Sequence, residues 1–268
     1  MQLTSRDFTR LKTFMYNNYG INLDKKEKLI ETRLALVVKR MGFNDFSSYI
    51  DALMKDKTGE MVAIIVEKLT TNFTYFMREE QHFAFLKDKI IANKLKTSPS
   101  GEIKIWCAAS SSGEEPYCLA MTSHCALGIN KRFRVSITAS DISRNVLRIA
   151  KTGIYSKEKV VKLPQAWVKN YFKQTDNRNF EVIDDIKRMI TFKYFNLNDS
   201  VGWEKSKYDV IFCRNVMIYF DEPTKKKLCK RLYDSLKPGG YLIIGLSENL
   251  SNLINDFERV EPSVYKRK

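Results

Sequence analysis

Apolar residues recur three and four positions apart through the first quarter of the chain, and then the rhythm changes. Phe8, Leu11, Phe14 and Met15 share one helical face. Ile30, Leu34, Val37, Val38 and Met41 mark a second helix, ending near Gly42. Phe46, Tyr49, Ile50, Leu53 and Met54 mark a third, and after Gly59 a fourth carries Met61, Ile64, Ile65 and Leu69. No strand pattern interrupts this stretch, so 1–70 is expected to be an all-α domain. Residues 71–80, TNFTYFMREE, mix aromatic and polar side chains without a period. A helix over about 81–93 then leads into a polar hinge at 94–101. The linker 71–100 is expected to pack against both halves of the chain.

From Ile103 onward, short apolar runs alternate with helical segments, the pattern of a parallel sheet with crossover helices. Strands are expected at 103–109, 133–138, 208–213 and 240–245, the last after the turn Lys237-Pro238-Gly239-Gly240, with a short terminal strand at 264–265. Helices are expected at 145–151 and 224–235. Residues 154–195 break the alternation: a short helix at 164–172 precedes two strands at 180–183 and 189–192, read as a small antiparallel insertion. The fold class is therefore α/β, a Rossmann-like sheet over 101–268 with a β insertion at about 154–195, preceded by the all-α domain.

The 268 residues are 44% hydrophobic, enough for full cores. No apolar run approaches a membrane span. The opening MQLTSRDFTR has no apolar leader core, so a cytoplasmic location is expected. Cys107, Cys118, Cys125, Cys213 and Cys229 lie in or beside apolar runs and form no C-x-x-C pair. With only His82 and His124 besides, no metal site is expected. The net charge of +15 implies an acidic partner: nucleic acid, an anionic membrane or an acidic protein surface. The second helix and its approach carry a basic cluster, at Lys25, Lys26, Lys28, Arg33, Lys39 and Arg40.

Candidate chemistry collects at the strand ends. The stretch IKIWCAASSSGEEPYCLAM (103–121) reads as strand, small-residue turn and helix, with Pro116 at the helix start. The full G-x-G-x-x-G pattern is absent, and Glu114 and Glu115 stand where a pyrophosphate would sit. A cationic or neutral cofactor such as S-adenosylmethionine (SAM) fits better. Asp141, after the second strand, is placed to accept both ribose hydroxyls of an adenosine, or to cap the helix beginning near Ser143. The run FCRNVMIYFD (212–221) delivers Arg214, Asn215 and Tyr219 to the same rim, and Asn196-Leu197-Asn198 follows another strand.

Together TTNFTYFMREEQHF (70–83), IWCAASSSGEEPYCLA (105–120), ASDIS (139–143), NLND (196–199), FCRNVMIYFD (212–221) and LKPGGYLIIGLSENLSNL (236–253) resemble the CheR family of chemotaxis receptor glutamate methyltransferases. The resemblance covers nearly the whole chain. It implies SAM-dependent methylation of glutamate side chains on receptor cytoplasmic helices. Asn72, Thr74, Arg78, Glu115, Asp141, Asn196, Leu197, Arg214 and Asn215 would line the cofactor site, with Arg78 and Tyr219 nearest the transferred methyl group. Arg78 would hold the carboxylate of either substrate or cofactor. Tyr219 would orient the nucleophile or contact the methyl group. The acidic methylation helices would meet Lys25, Lys26, Arg33, Lys39 and Arg40. A monomer is expected. Three departures stand out: Met77 replaces an aromatic, no histidine precedes Ser247-Glu248, and the insertion turn 173–179 lacks glycine. The last implies independence from a receptor C-terminal pentapeptide. The alternatives are a nucleic-acid methyltransferase, which lacks support because neither an N/D-P-P-Y/F motif nor a Pro-Cys pair occurs, and a non-catalytic SAM sensor.

Overall fold

The computed structural model describes residues 1–56, 58–69, 74–98, 100–128, 130, 132–250 and 256–268. Four helices come first: α1 (Ser5–Tyr19), α2 (Glu27–Arg40), α3 (Phe46–Lys55) and α4 (Glu60–Leu69). The α1 start is fixed by Thr4, whose side chain accepts the Asp7 N–H, and its end by Gly20 in the left-handed conformation at φ 70°. A β-carbon on Gly20 would lie 2.9 Å from Thr224 Cγ2, so glycine lets the end of α1 approach the sheet domain. In α2 the buried stripe is Ile30, Leu34 and Val38. Val37 is only half-buried and Met41 is exposed, because four residues advance a helix by 400°, and only the 30/34/38 row stays on the inner face. Lys25 and Lys26 precede the helix rather than belonging to it.

The helix expected at 81–93 continues to 97, as α5 (Gln81–Phe85), a π-helical turn (Leu86–Ile91) and α6 (Ala92–Thr97). Then follow β1 (Gly101–Cys107), α7 (Glu114–Leu127), β2 (Phe133–Asp141) and α8 (Arg144–Thr152). The next segment holds β3 (Ile154–Ser156), α9 (Lys157–Val160), α10 (Gln165–Tyr171), β4 (Phe172–Gln174), β5 (Asn179–Val182) and α11 (Asp184–Lys187). The chain closes with β6 (Ile190–Tyr194), β7 (Tyr208–Cys213), α12 (Glu222–Ser235), β8 (Leu236–Ile244), β9 (Phe257–Glu261) and β10 (Val264–Arg267).

The main sheet has seven strands in the order β6-β2-β1-β7-β8-β10-β9. Its first four pairings are parallel, and β10 adds antiparallel to β8 and β9. The antiparallel insertion is separate, with β5 between β3 and β4. Two expectations are corrected here. The strand at 190–194 is not part of the insertion but the parallel edge of the main sheet, in register with Ile137–Asp141. Lys237-Pro238-Gly239-Gly240 is likewise not a turn before β8 but an irregularity inside it, where the register against β7 shifts. β9 was not anticipated.

The two regions share a core. Leu11, Met15, Leu34 and Leu53 belong to the same apolar cluster as Trp106, Ile211 and Leu232. Chain pairing joins them too: Ile21 bridges Phe220, the Asn22 N–H donates to the Tyr219 carbonyl at 2.9 Å, and Tyr16 Oη donates to Asp221 at 2.8 Å. The linker is tied to the far sheet edge by His82, which is 1% exposed with Nε2 2.7 Å from Ser263 Oγ.

That burial, reinforced by nearby Arg214 and opposed by Glu79, lowers His82 from its ordinary 6.5 to about 4. The folded protein therefore holds a neutral imidazole where the unfolded chain takes up a proton. This stabilisation is complete above pH 6.5 and is lost as pH falls toward 4. Over that window its loss should cost on the order of 3 kcal/mol. Urea unfolding at a series of pH values should show a smaller acid loss in His82→Gln than in the wild type. Identical pH dependence would contradict the assignment.

Candidate active site at the strand ends

The carboxyl ends of β1, β2 and β7 open into one cleft of about 1030 Å³, open solvent at its mouth included. Open α/β sheets bind ligands at this end because crossover helices leave a crevice there. The loop after β1 folds against the end of β2 through Asp141. Its carboxylate accepts the Ser111 N–H at 2.8 Å and the Ser143 N–H at 2.9 Å. The cap of α8 is Ser143, whose side chain accepts the Val146 N–H. Burial pushes the Asp141 carboxyl above its ordinary range, against hydrogen bonds from the N–H groups of Ser143, Ser111 and Ile142. Asp141 also lines the cleft.

Glu114 and Glu115 open α7, but successive helical residues point about 100° apart. Only Glu115 faces the cleft. Glu114 is fully buried against Lys159 at 2.6 Å and accepts the Ser112 hydroxyl, so the expectation of two acids at the cofactor fails for Glu114. Gly113 precedes them at φ 99°, where a β-carbon would come within 2.9 Å of Ala150 Cβ.

Arg214 occupies the centre. Its side chain is 1% exposed, and Nη1 donates to Glu115 at 2.5 Å. Nη2 donates to the Arg78 carbonyl at 2.5 Å and lies 3.1 Å from Glu79. Arg214 lines the cleft, as expected, but its guanidinium is committed to protein partners instead of standing open to a ligand. Burial works to raise the Glu79 carboxyl, but Arg214 and hydrogen bonds from Asn215 and the Leu246 N–H hold it below its ordinary range. Two carboxylates thus flank one guanidinium, and Glu79 also lies 3.9 Å from Arg78, so acidic and basic groups alternate along this wall.

Thr74, Arg78, Glu115, Asp141, Asn196, Leu197, Arg214, Asn215 and Tyr219 all line the cleft. Asn72 lies outside the described residues. The Asn196 side chain donates to the Asn18 carbonyl at 2.8 Å and to Asp199 at 2.9 Å, so it fixes the wall against α1. Arg78 Nε is 3.9 Å from Glu79, and the Arg78 side chain is 30% exposed. Met77 is partly buried against the core, where the expected aromatic would have packed. Lys25, Arg33, Lys39 and Arg40 are exposed on the helical region and Lys26 is half-buried; none of these five lines the cleft.

Sequence reasoning missed two contributors. Tyr19, Ile21 and Val66 bring the helical region into the cleft wall, and no local pattern marks them. Glu79 and Glu248 organise the loops. Glu248 lies in the mixed run GLSENL after β8, where nothing in the pattern marks it as an acceptor for distant backbone groups.

The residues present fit an adenosyl sulfonium ligand. Asp141 offers acceptors at the strand end, Leu197 and Ile142 offer apolar faces, and the Glu115 carboxylate suits a cationic group. Comparison with known proteins agrees. Residues 6–70 match the CheR methyltransferase all-alpha domain, and 72–266 match the CheR methyltransferase SAM-binding domain. A chemotaxis protein methyltransferase of Borreliella burgdorferi is 41% identical over all of this chain and 96% of its own length. A probable one of Rhizobium etli is 37% identical over 88% of this chain and 90% of its own. One from Vibrio parahaemolyticus is 36% identical over 98% and 96%. The chain belongs to the CheR methyltransferase family, and its cofactor is S-adenosylmethionine.

Proposed function

We propose that this enzyme methylates glutamate side chains on the cytoplasmic helices of chemotaxis receptors, forming glutamyl methyl esters. The observation that carries the reading is the convergence of Arg78, Tyr219 and Glu115 on a single cleft. SAM supplies an electrophilic methyl group on a sulfonium. A glutamate side chain is already ionised at neutral pH, so no general base is required. The protein's work is orientation and exclusion of water. Asp141 accepts the ribose hydroxyls, and Glu115, anchored by Arg214, faces the ammonium. Arg78, on the exposed lip, holds the incoming carboxylate, and Tyr219 aligns it from the opposite lip.

The receptor helix docks on α2. Its solvent face combines Lys39 and Arg40 with Leu36, 56% exposed, and Leu29, 36% exposed. A surface both basic and apolar complements an acidic amphipathic helix. The approach to α2 begins at Asn22, which is hydrogen-bonded to Tyr219, so this surface starts beside the reactive end. The insertion turn is closed by Asp176, which accepts the N–H groups of Arg178 and Asn179 at 2.6 and 2.8 Å. This self-contained turn, without glycine, supports methylation that needs no receptor pentapeptide. The helical region 1–70, linker 71–100 and catalytic domain 101–268 then serve docking, closure and chemistry respectively.

Incubation with methyl-labelled SAM and receptor cytoplasmic fragments, with or without the C-terminal pentapeptide, should yield equal label that base releases as methanol. Label in nucleic acid, or none, would overturn the reading. Reversing Lys26, Lys39 and Arg40 to Glu should raise KM for the receptor fragment about tenfold or more at low salt, leaving SAM affinity unchanged. Arg33 stays intact in this variant because it donates to the Lys68 carbonyl at 3.0 Å and supports α4. Unaltered receptor kinetics would remove α2 from the docking surface.

A further inference from the structure

The segment from Asn215 to Tyr219 must turn sharply at the end of β7. Asn215 sits at φ 57°, a left-handed conformation that costs energy for any residue with a side chain, and Met217–Tyr219 forms a single 3-10 turn. The backbone N–H groups of such a segment point inward together and need an acceptor. Glu248, in the loop after β8, fills that role. One carboxylate oxygen accepts the Asn215 N–H at 2.9 Å and the Gly245 N–H at 2.7 Å. The other accepts the Met217 N–H at 2.8 Å. The Ile218 N–H also donates to this carboxylate.

Gly245 is part of the same device. A β-carbon there would lie 2.9 Å from the Glu248 carboxylate and 3.0 Å from the Asn215 nitrogen. From the other side, Glu79 accepts the Asn215 side-chain amide at 3.2 Å and the Leu246 N–H at 3.1 Å. Downstream, the Tyr219 carbonyl accepts the Asn22 N–H. The Tyr219 backbone is therefore fixed from both ends, by the Glu248 carboxylate before it and the helical region after it.

We propose that Glu248 is a positioning residue for methyl transfer, holding the 215–219 turn so that Tyr219 faces the substrate carboxylate in the cleft. This rests on the assignment of Tyr219 above. Glu248 touches neither substrate nor cofactor. Its effect is on the direction of the tyrosine, and misplacement by about 1 Å at a reacting centre costs up to ~100-fold in rate. Glutamine is the same shape but brings an N–H₂ group toward backbone donors, so one oxygen's worth of acceptors is lost and the turn opens.

The test is a double-mutant cycle of Glu248→Gln with Tyr219→Phe, read in steady-state methylation of receptor fragments and in titration of S-adenosylhomocysteine. Glu248→Gln should lower kcat about tenfold or more, with KM for SAM and the Kd of S-adenosylhomocysteine within about threefold of wild type. In the Tyr219→Phe background the same change should lower kcat by no more than about twofold, because the group it positions is already absent. Full, independent losses in both backgrounds would show that Glu248 acts elsewhere and overturn the proposal while leaving Tyr219 in place. A Tyr219→Phe enzyme with wild-type kcat would remove both assignments. Should Glu248→Gln fail to fold, Gly245→Ala presses on the same turn without changing charge and must give the same Tyr219-dependent loss of kcat. Wild-type kcat in either folded variant would overturn the proposal.

Discussion

A guanidinium with 1% of its side chain exposed is the constraint on which the site depends. A buried charge without partners is too costly to persist, and Arg214 finds its partners on two other segments. Glu115 opens α7, Glu79 and the Arg78 carbonyl lie in the linker, and Arg214 itself ends β7. The guanidinium gathers all of these partners only when the three segments are in place. Assembly of the cleft and satisfaction of Arg214 are therefore one event, and the linker is held against the strand ends by the same contacts.

A second layer repeats this logic with backbone groups. Glu248 gathers the N–H groups at the ends of β7 and β8, and Asp141 gathers those of the loops after β1 and β2. Each strand end that forms the rim is thus cross-linked to a neighbour by a carboxylate. The helical region completes the arrangement by pairing Ile21 and Asn22 with the Tyr219–Phe220 backbone and lending Tyr19 to the cleft wall. The segment leading into α2 is consequently hydrogen-bonded, through Asn22, to the backbone of Tyr219.

Much of this was legible in the sequence. Helical periodicity defined the first four helices, and alternation of apolar runs with helices defined the parallel sheet. The acids and amides at strand ends marked the cleft, because chemistry in open sheets gathers there. What was not legible depends on distance. The strand at 190–194 reads the same whether it pairs in the insertion or along β2, since a five-residue run does not name its partner. Arg214 read as a ligand because its guanidinium's partners lie 99 and 136 residues away in the chain. Glu114 and Glu115 are adjacent in the sequence, but the helical rotation between them sends one to Lys159 and the other to the cleft. Helical geometry alone would have allowed that distinction, given the start of α7.

The account's central claim is that Arg214 and Glu79 join the linker to the sheet as a coupled pair. A double-mutant cycle in urea unfolding, with Glu79→Gln, Arg214→Gln and both together, measures this directly. Arg214→Gln should cost about 3–5 kcal/mol, because it leaves two acids without their guanidinium, and Glu79→Gln should cost less, because Glu115 still pairs with Arg214. The double variant should be less destabilised than the sum by at least about 1.5 kcal/mol. Additivity within about 0.5 kcal/mol would contradict the claim.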